Sequence, residues 1–338
     1  MRTQILTLVA AAIAAAPALA QDVVINEIRI DDPSTDNLEF FELAGAPGTS
    51  LDGLFYITIG DGSNGDGQVE EVTDLAGLSI PADGFFVCVN TNVTAVASPD
   101  LVNGLSFENS DNVTHLLVSD FTGASGDDLD TDDDGVLDVT PWTAVLDQVA
   151  LAEELTVPPT GTEFFYGDVV AGPDGSFVPG HIFREDDATG ELTHWAIGIF
   201  DDTIGLDTPG EPNADAGRLP SSFGGGIGLA LNFDASFAGQ LYFVGASTSG
   251  TAPGLPLGGV VVPLNFDAVT NLSLTLANSG TFVNTLSTLD ANGDAFAQIV
   301  LPAVPALVGQ TLNAAAVVID PFTGLAVAAS NAGTVNLD

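Results

Sequence analysis

Short apolar runs recur along the whole chain, separated by Gly, Asn, Asp and Pro. In the first half they are "VVINEIRI", "EFFEL", "LFYITIGDG", "GFFVCV", "HLLVSDF" and "AVLDQVAL". In the second they are "IGLALNF", "QLYFVGAS", "LSLTLANSG", "FAQIVLP" and "LNAAAVVID". Their length, their Val, Ile and Phe content and the turn residues between them predict strands of antiparallel sandwiches, and no long 3.6-periodic stretch competes. The expected fold class is therefore all-β. Glu27 and Glu42 alternate with Ile28 and Phe41, so they should project to the opposite face. On that pattern they read as solvated carboxylates at the strand surface.

Acidic residues divide the pattern in two. Only Asp234, Asp267, Asp290, Asp294, Asp320 and Asp338 follow Pro220, out of 46 acids in the chain. The Gly-, Ser- and Pro-rich stretch "ADAGRLPSSFGGGIG" between the two regions reads as a linker over 214–228. It separates one β-sandwich at 21–213 from a second at 229–338. Ahead of both, residues 1–20 combine Arg2, an apolar run and a small-x-small ending at Ala18-Leu19-Ala20. That is the pattern of a secretory signal peptide cleaved after Ala20, which implies a secreted or cell-surface protein. The run is shorter than a spanning helix needs, and no later segment predicts membrane insertion.

Charge narrows the partners. The chain has 46 acids, four arginines, no lysine and a formal charge of −42. Such a field repels phosphate backbones and anionic headgroups, so nucleic acid is excluded as a natural partner, and cations are favoured. The alternative is a general adaptation to salt. The single cysteine, Cys88 in "GFFVCVN", has no partner for an internal disulfide and reads as a small buried hydrophobe.

Several stretches together resemble the lamin tail domain, an immunoglobulin-like sandwich found in nuclear lamins and in bacterial secreted and surface proteins. They are Ile25-Asn26-Glu27-Ile28, Glu39-Phe40-Phe41-Glu42-Leu43, "LDGLFYITIGDG", "LSIPADGFFVCVN", "LSFENSDNVTHLLV", "AVLDQVAL" and the closing "DTPGEPN". They stand in the family's order over residues 22–213. The resemblance implies an immunoglobulin-like first domain. The chain departs from it by long insertions at 120–138 and 158–193, whose roles the family does not supply. The second half more loosely resembles a β-sandwich at the C-terminus of secreted proteins of marine and planctomycete-type bacteria, carried by "QLYFVGAS", "LDANGDAFAQIVLP" and "DPFTGLAVAASNAGTVNL".

The chemistry concentrates in the first insertion, "DDLDTDDDGVLD" at 127–138. Asp130, Asp132, Asp134, Gly135, Val136 and Asp138 fit the first nine positions of a calcium loop. Alternate Asp side chains would converge on one hard cation, Gly135 would allow the turn, and the Val136 carbonyl would add an oxygen. The twelfth position is Pro141, which offers no carboxylate, so closure would fall to Asp128, Asp147, a carbonyl or water. A structural Ca2+ site is the expectation, against a solvated acidic loop. "LDANGDA" at 289–295 reads instead as a hairpin turn. "GDGSNGDG" at 60–67 reads as a glycine-rich loop, without the following helix of a phosphate cradle.

Catalytic signatures are thin: the histidines are His115, His181 and His194, without metal-protease spacing, and no G-x-S-x-G occurs. "PGHIFREDDATGELTHW" at 179–195 reads as a hairpin with a polar tip. The expectation is a secreted, non-enzymatic structural or adhesion-type protein associated with a cell-surface or matrix polymer. The alternative is an extracellular carbohydrate-binding module or hydrolase accessory domain, drawn from its carboxylates and from Trp142, Trp195, Tyr166 and Phe165.

Overall fold

A computed structural model describes residues 23–33, 35–62, 65–160, 163–186, 192–200, 207–211, 217–219, 221 and 224–338. The expected signal peptide at 1–20 lies outside the described residues. Strand propensity is realised nearly everywhere it was expected. The first half carries β1 (Val24–Arg29), β2 (Phe40–Ala44), β3 (Leu54–Gly62), β4 (Gly65–Asp74), β5 (Phe85–Asn90) and β6 (Leu101–Asn103). It continues with β7 (Val113–Ser119), β8 (Ala144–Leu151), β9 (Val170–Ala171), β10 (His181–Asp186) and β11 (Leu192–Ile197). The second half carries β12 (Arg218–Leu219), β13 (Gly225–Asn232), β14 (Leu241–Ser247), β15 (Leu255–Leu257) and β16 (Val260–Val262). β17 (Phe282–Val283), β18 (Leu286–Thr288), β19 (Asp294–Leu301), β20 (Thr311–Ile319) and β21 (Ala326–Leu337) complete it. The fold is all-β. No helix among the described residues is long and apolar enough to cross a membrane.

One segment departs from the expected strands. "LSLTLANSG" is expected to be extended as a short apolar run before turn residues, but its first four residues, Leu272–Thr275, belong to the helix α1 (Ala268–Thr275). The local cause is a reciprocal cap: Asp267 accepts from Thr270 N at 2.8 Å, while the Thr270 hydroxyl accepts from Asp267 N at 3.2 Å. The helix buries Thr270 and Ser273 and leaves Leu272 and Leu274 exposed, so its polar face is the anchored one. The "LDANGDA" turn forms around Asp290, which accepts from Asn292 N and Asp294 N at 2.7 and 2.9 Å. It is not a simple hairpin, because β18 pairs with β14 whereas β19 pairs with β13 and β17.

In the first half, β4-β3-β7-β8-β9 form one sheet, facing the strand order β11-β10-β1-β2-β5-β6 of another. Between them lie Ile25, Ile28, Phe41, Leu43, Tyr56, Leu117, Leu151 and Trp195, all essentially inaccessible. Phe41 and Tyr56 stack across this core at a centroid distance of 3.7 Å. Burying aliphatic and aromatic side chains of this size contributes about 1.5–3 kcal/mol each, and with one cysteine in the chain this packing replaces disulfides. A second core of Leu229, Leu231, Tyr242, Val244, Ile299, Ala314, Val318 and Leu337 fills the other half.

Described residues of the stretch expected as a linker take part in sheet pairing. Within 214–228, Arg218–Leu219 is β12, and β13 begins at Gly225. β11 pairs antiparallel with β13, matching Thr193 to Ala230 and Trp195 to Gly228. The glycines here serve close approach: a Cβ on Gly228 would stand 2.6 Å from the Val170 carbonyl oxygen.

Candidate metal centre

The outer face of the five-stranded sheet carries a separate apolar cluster of Ile57, Ile59, Val69, Leu116, Val118, Phe121, Leu129, Phe164 and Tyr166. Phe121 and Leu129 lie in the stretch at 120–138, and Phe164 and Tyr166 follow β8, so two segments distant in sequence together cover this face. Leu129, the one apolar residue of "DDLDTDDDG", is 2% exposed and pins an otherwise charged loop to the sheet. Backbone pairing adds to this: Val69 N donates to Asp127 O at 2.8 Å, Gly126 N to Val69 O at 2.7 Å and Leu129 N to Gly67 O at 3.0 Å. The acidic stretch is thereby laid along β4.

Asp130 is buried completely. Its Oδ2 accepts from Gly135 N at 2.8 Å and the Tyr166 hydroxyl at 2.9 Å, and its Oδ1 accepts from Asp134 N at 3.2 Å. Gly135, at φ +84°, makes the turn, and a Cβ there would meet the Phe164 ring at 2.5 Å. Asp133, at φ 54°, accepts from Asp66 N at 2.9 Å and fixes the loop to the start of β4.

Of the expected ligands, Asp130, Asp132 and Asp138 each place a carboxylate oxygen within 4.8 Å of the others. That spread matches oxygens on opposite sides of one ion at 2.3–2.6 Å. Asp134 lies outside this trio, and its Oδ1 accepts from Val136 N at 2.9 Å. Asp134 is nevertheless the strongest of the charges raising the exposed Asp132 carboxyl, followed among the charges by Asp138 and Asp130. Mutual repulsion of this kind is what a bound cation removes. Asp138 Oδ2 also accepts from Thr131 N at 3.0 Å. Val136, the remaining expected ligand, is exposed, and its N–H donates to Asp134 Oδ1.

Candidates for closing the site separate clearly. The Pro141 carbonyl accepts from Thr122 N at 2.8 Å. Asp147 is engaged elsewhere, accepting from Ile25 N at 2.7 Å and from Arg184 Nη2 at 2.6 Å. Asp128 stays beside the loop, its Oδ1 accepting from Asp130 N at 3.2 Å. The sequence offered Tyr166 only as a sugar-binding aromatic; its bond to Asp130, 36 residues away and in no motif with it, was not legible there.

A second polar group sits inside the first sheet. Glu27 and Glu42, expected at a solvated surface, are buried, and they face one another across the β1–β2 register. The face opposite Ile28 and Phe41 is covered too, because the closing segment packs on it. Thr208 N donates to Glu27 Oε1 at 3.2 Å and Gly210 N to Glu42 Oε2 at 2.5 Å. His181 Nε2 lies 2.8 Å from Glu27 Oε1, and Arg29 Nη1 2.6 Å from Asp207 Oδ2. Glu27, His181 and Asp207 have metal-like spacing, but the fully buried Arg29 already supplies positive charge there. Burial pushes the Glu42 carboxyl up to about 8, opposed by the Gly210 and Asn26 hydrogen bonds and helped by Glu27. At neutral pH a protonated Glu42 avoids two opposed charges.

The other arginines are committed in the same way. Arg184 binds Asp147 and stacks 4.7 Å over the Trp195 ring, and Arg218 binds Asp174. Every arginine among the described residues is thus ion-paired, so among these residues most exposed acids have no arginine beside them. Trp195 and Tyr166 are buried, so they cannot form an exposed sugar platform. β10 and β11 pair antiparallel, Arg184 against Trp195, as the hairpin expected at 179–195 requires, and its tip at 187–191 lies outside the described residues.

No protein-family model matches the chain, and no curated protein matches it. Among solved structures, a tetra-tandem repeat in the extending region of a large adhesion protein is similar at 13% identity and a TM-score of 0.17. The match covers 93% of this chain and 49% of that chain.

Proposed function

We propose that this is an exported, non-enzymatic structural protein of the adhesion type, with a lamin-tail-like first sandwich and an acidic loop ordered by structural Ca2+. The observation that carries this reading is the convergence of Asp130, Asp132 and Asp138 on a loop anchored by buried Leu129 and Tyr166. An all-oxygen, carboxylate-rich donor set suits a hard cation, and exposed sites of this kind work at the high calcium levels outside cells. With its described arginines paired internally, the surface meets anionic matrix polymers through divalent ions rather than through its own cations. The test is retention of the purified chain on an immobilised anionic polysaccharide. Retention with millimolar Ca2+ and release by chelator support the reading; equal retention in both, or turnover of the polymer, contradicts it.

A second reading has one observation in its favour. Phe177 and Phe200 are exposed beside Asp31, Glu153 and Asp174 around a single cleft. Apolar rings with flanking carboxylates suit a neutral carbohydrate, and a glycan-array signal lost in Phe177→Ala would favour that function.

A further inference from the structure

We propose that Asp61, Glu70 and Glu108 form a second divalent-cation site of the calcium class, distinct from the acidic loop. Each offers a carboxylate oxygen, and these oxygens lie within 4.8 Å of one another. Asp61 ends β3, Glu70 lies on β4, and Glu108 comes from the connection between β6 and β7. The site would therefore fasten the β3–β4 hairpin to a loop that is otherwise separate in sequence.

Local structure prepares this arrangement. Gly60 lies beside Glu70, and a Cβ at Gly60 would stand 2.8 Å from Glu70 Oε2. Glycine there lets the carboxylate lie against the β3 backbone. Glu108 is oriented through Oε1, which accepts from Asn109 N at 3.1 Å, Ser110 N at 3.0 Å and the Ser110 hydroxyl at 2.6 Å.

Orphaned oxygens give the second, independent observation. Glu70 Oε2 is wholly inaccessible and has no hydrogen-bond partner. Glu163 is 4% exposed, its Oε1 is equally unpartnered, and Asp111, Asp61 and Glu108 are the charges acting on it. A buried carboxylate oxygen without a donor is costly, and a neutral carboxyl would instead need an acceptor for its proton. One cation would satisfy Glu70 and offset the repulsion on Asp61 and Glu163. Three carboxylates and no nitrogen or sulfur donor specify a hard ion.

The experiment is calorimetric titration of the full chain with Ca2+ alone, using two double variants. Asp132→Ala/Asp138→Ala should keep one binding event, and Glu70→Gln/Glu108→Gln should lose that event. The Gln side chains keep a carbonyl acceptor for Ser110, and melting in chelator checks folding. There the Gln variant should melt at or above the parent, because repulsion has been removed. No calcium uptake by the Asp132/Asp138 variant, undiminished uptake by the Glu70/Glu108 variant, or its melting below the parent in chelator would each overturn the proposal. If only the Asp132/Asp138 substitutions prove silent, the acidic-loop reading fails and this site stands.

Discussion

The Tyr166 hydroxyl donates to Asp130 Oδ2 at 2.9 Å, joining two loops distant in sequence at a point where both side chains are buried. Asp130 is the inner wall of the acidic loop, and this bond fixes where that wall stands. Tyr166→Phe removes the donor while keeping the ring in its cluster with Leu129 and Phe164. A hydrogen bond to a charged group contributes about 1.5–3 kcal/mol, so the variant should lose stability in that range by urea denaturation. Its calcium affinity should fall as well.

The described arginines are structural. Arg29 is fully buried against Asp207, and truncating one partner of such a pair strands the other's charge. Arg29→Ala should cost about 3–5 kcal/mol in equilibrium unfolding. Arg218→Ala, at a partly exposed pair, should cost less. Equal losses at both positions would contradict the assignment of Arg29 to a sealed core.

Buried carboxyls predict an unusual pH response. Burial raises Glu42 and Glu70 to about 8 and Glu163 to about 9, from 4.5. Between 4.5 and these values the folded chain holds protons that the unfolded chain has released, so stability rises as pH falls. His115 acts in the opposite sense: burial lowers it to about 3 from 6.5, so its contribution is lost as pH falls below 6.5. The carboxyl effect is therefore cleanest from pH 8 to 6.5. In chelator, the urea midpoint should be higher at pH 6.5 than at pH 8, and an equal or lower midpoint would count against protonated Glu42 and Glu70.

Cys88 is fully buried on β5, where burial pushes its thiol up to about 12. Thiol reagents should leave it unmodified in the folded protein and label it fully in denaturant. Labelling of the native chain would show that the strand opens.

The strands were legible because most apolar runs are both short and rich in Val, Ile and Phe, and the candidate loop because its ligands are close in sequence. What was hidden is long-range. Period-two alternation placed Glu27 and Glu42 correctly on the face opposite Ile28 and Phe41, but not the closing segment that buries that face. The short apolar run "LSLTLANSG" suggested a strand, and the cap at Asp267 overrode it. Asp61, Glu70 and Glu108 meet only after the hairpin folds, so no local spacing marks them.

The central claim is that calcium orders the acidic loop on the outer sheet. Hydrogen exchange at residues 126–139 tests it most directly, because the Leu129 and Asp138 amides donate to Gly67 O and Leu129 O only when the loop is laid down. Ca2+ should slow exchange across this segment in the parent chain, and Asp132→Ala/Asp138→Ala should abolish the slowing. Identical exchange with Ca2+ and with chelator would contradict the account.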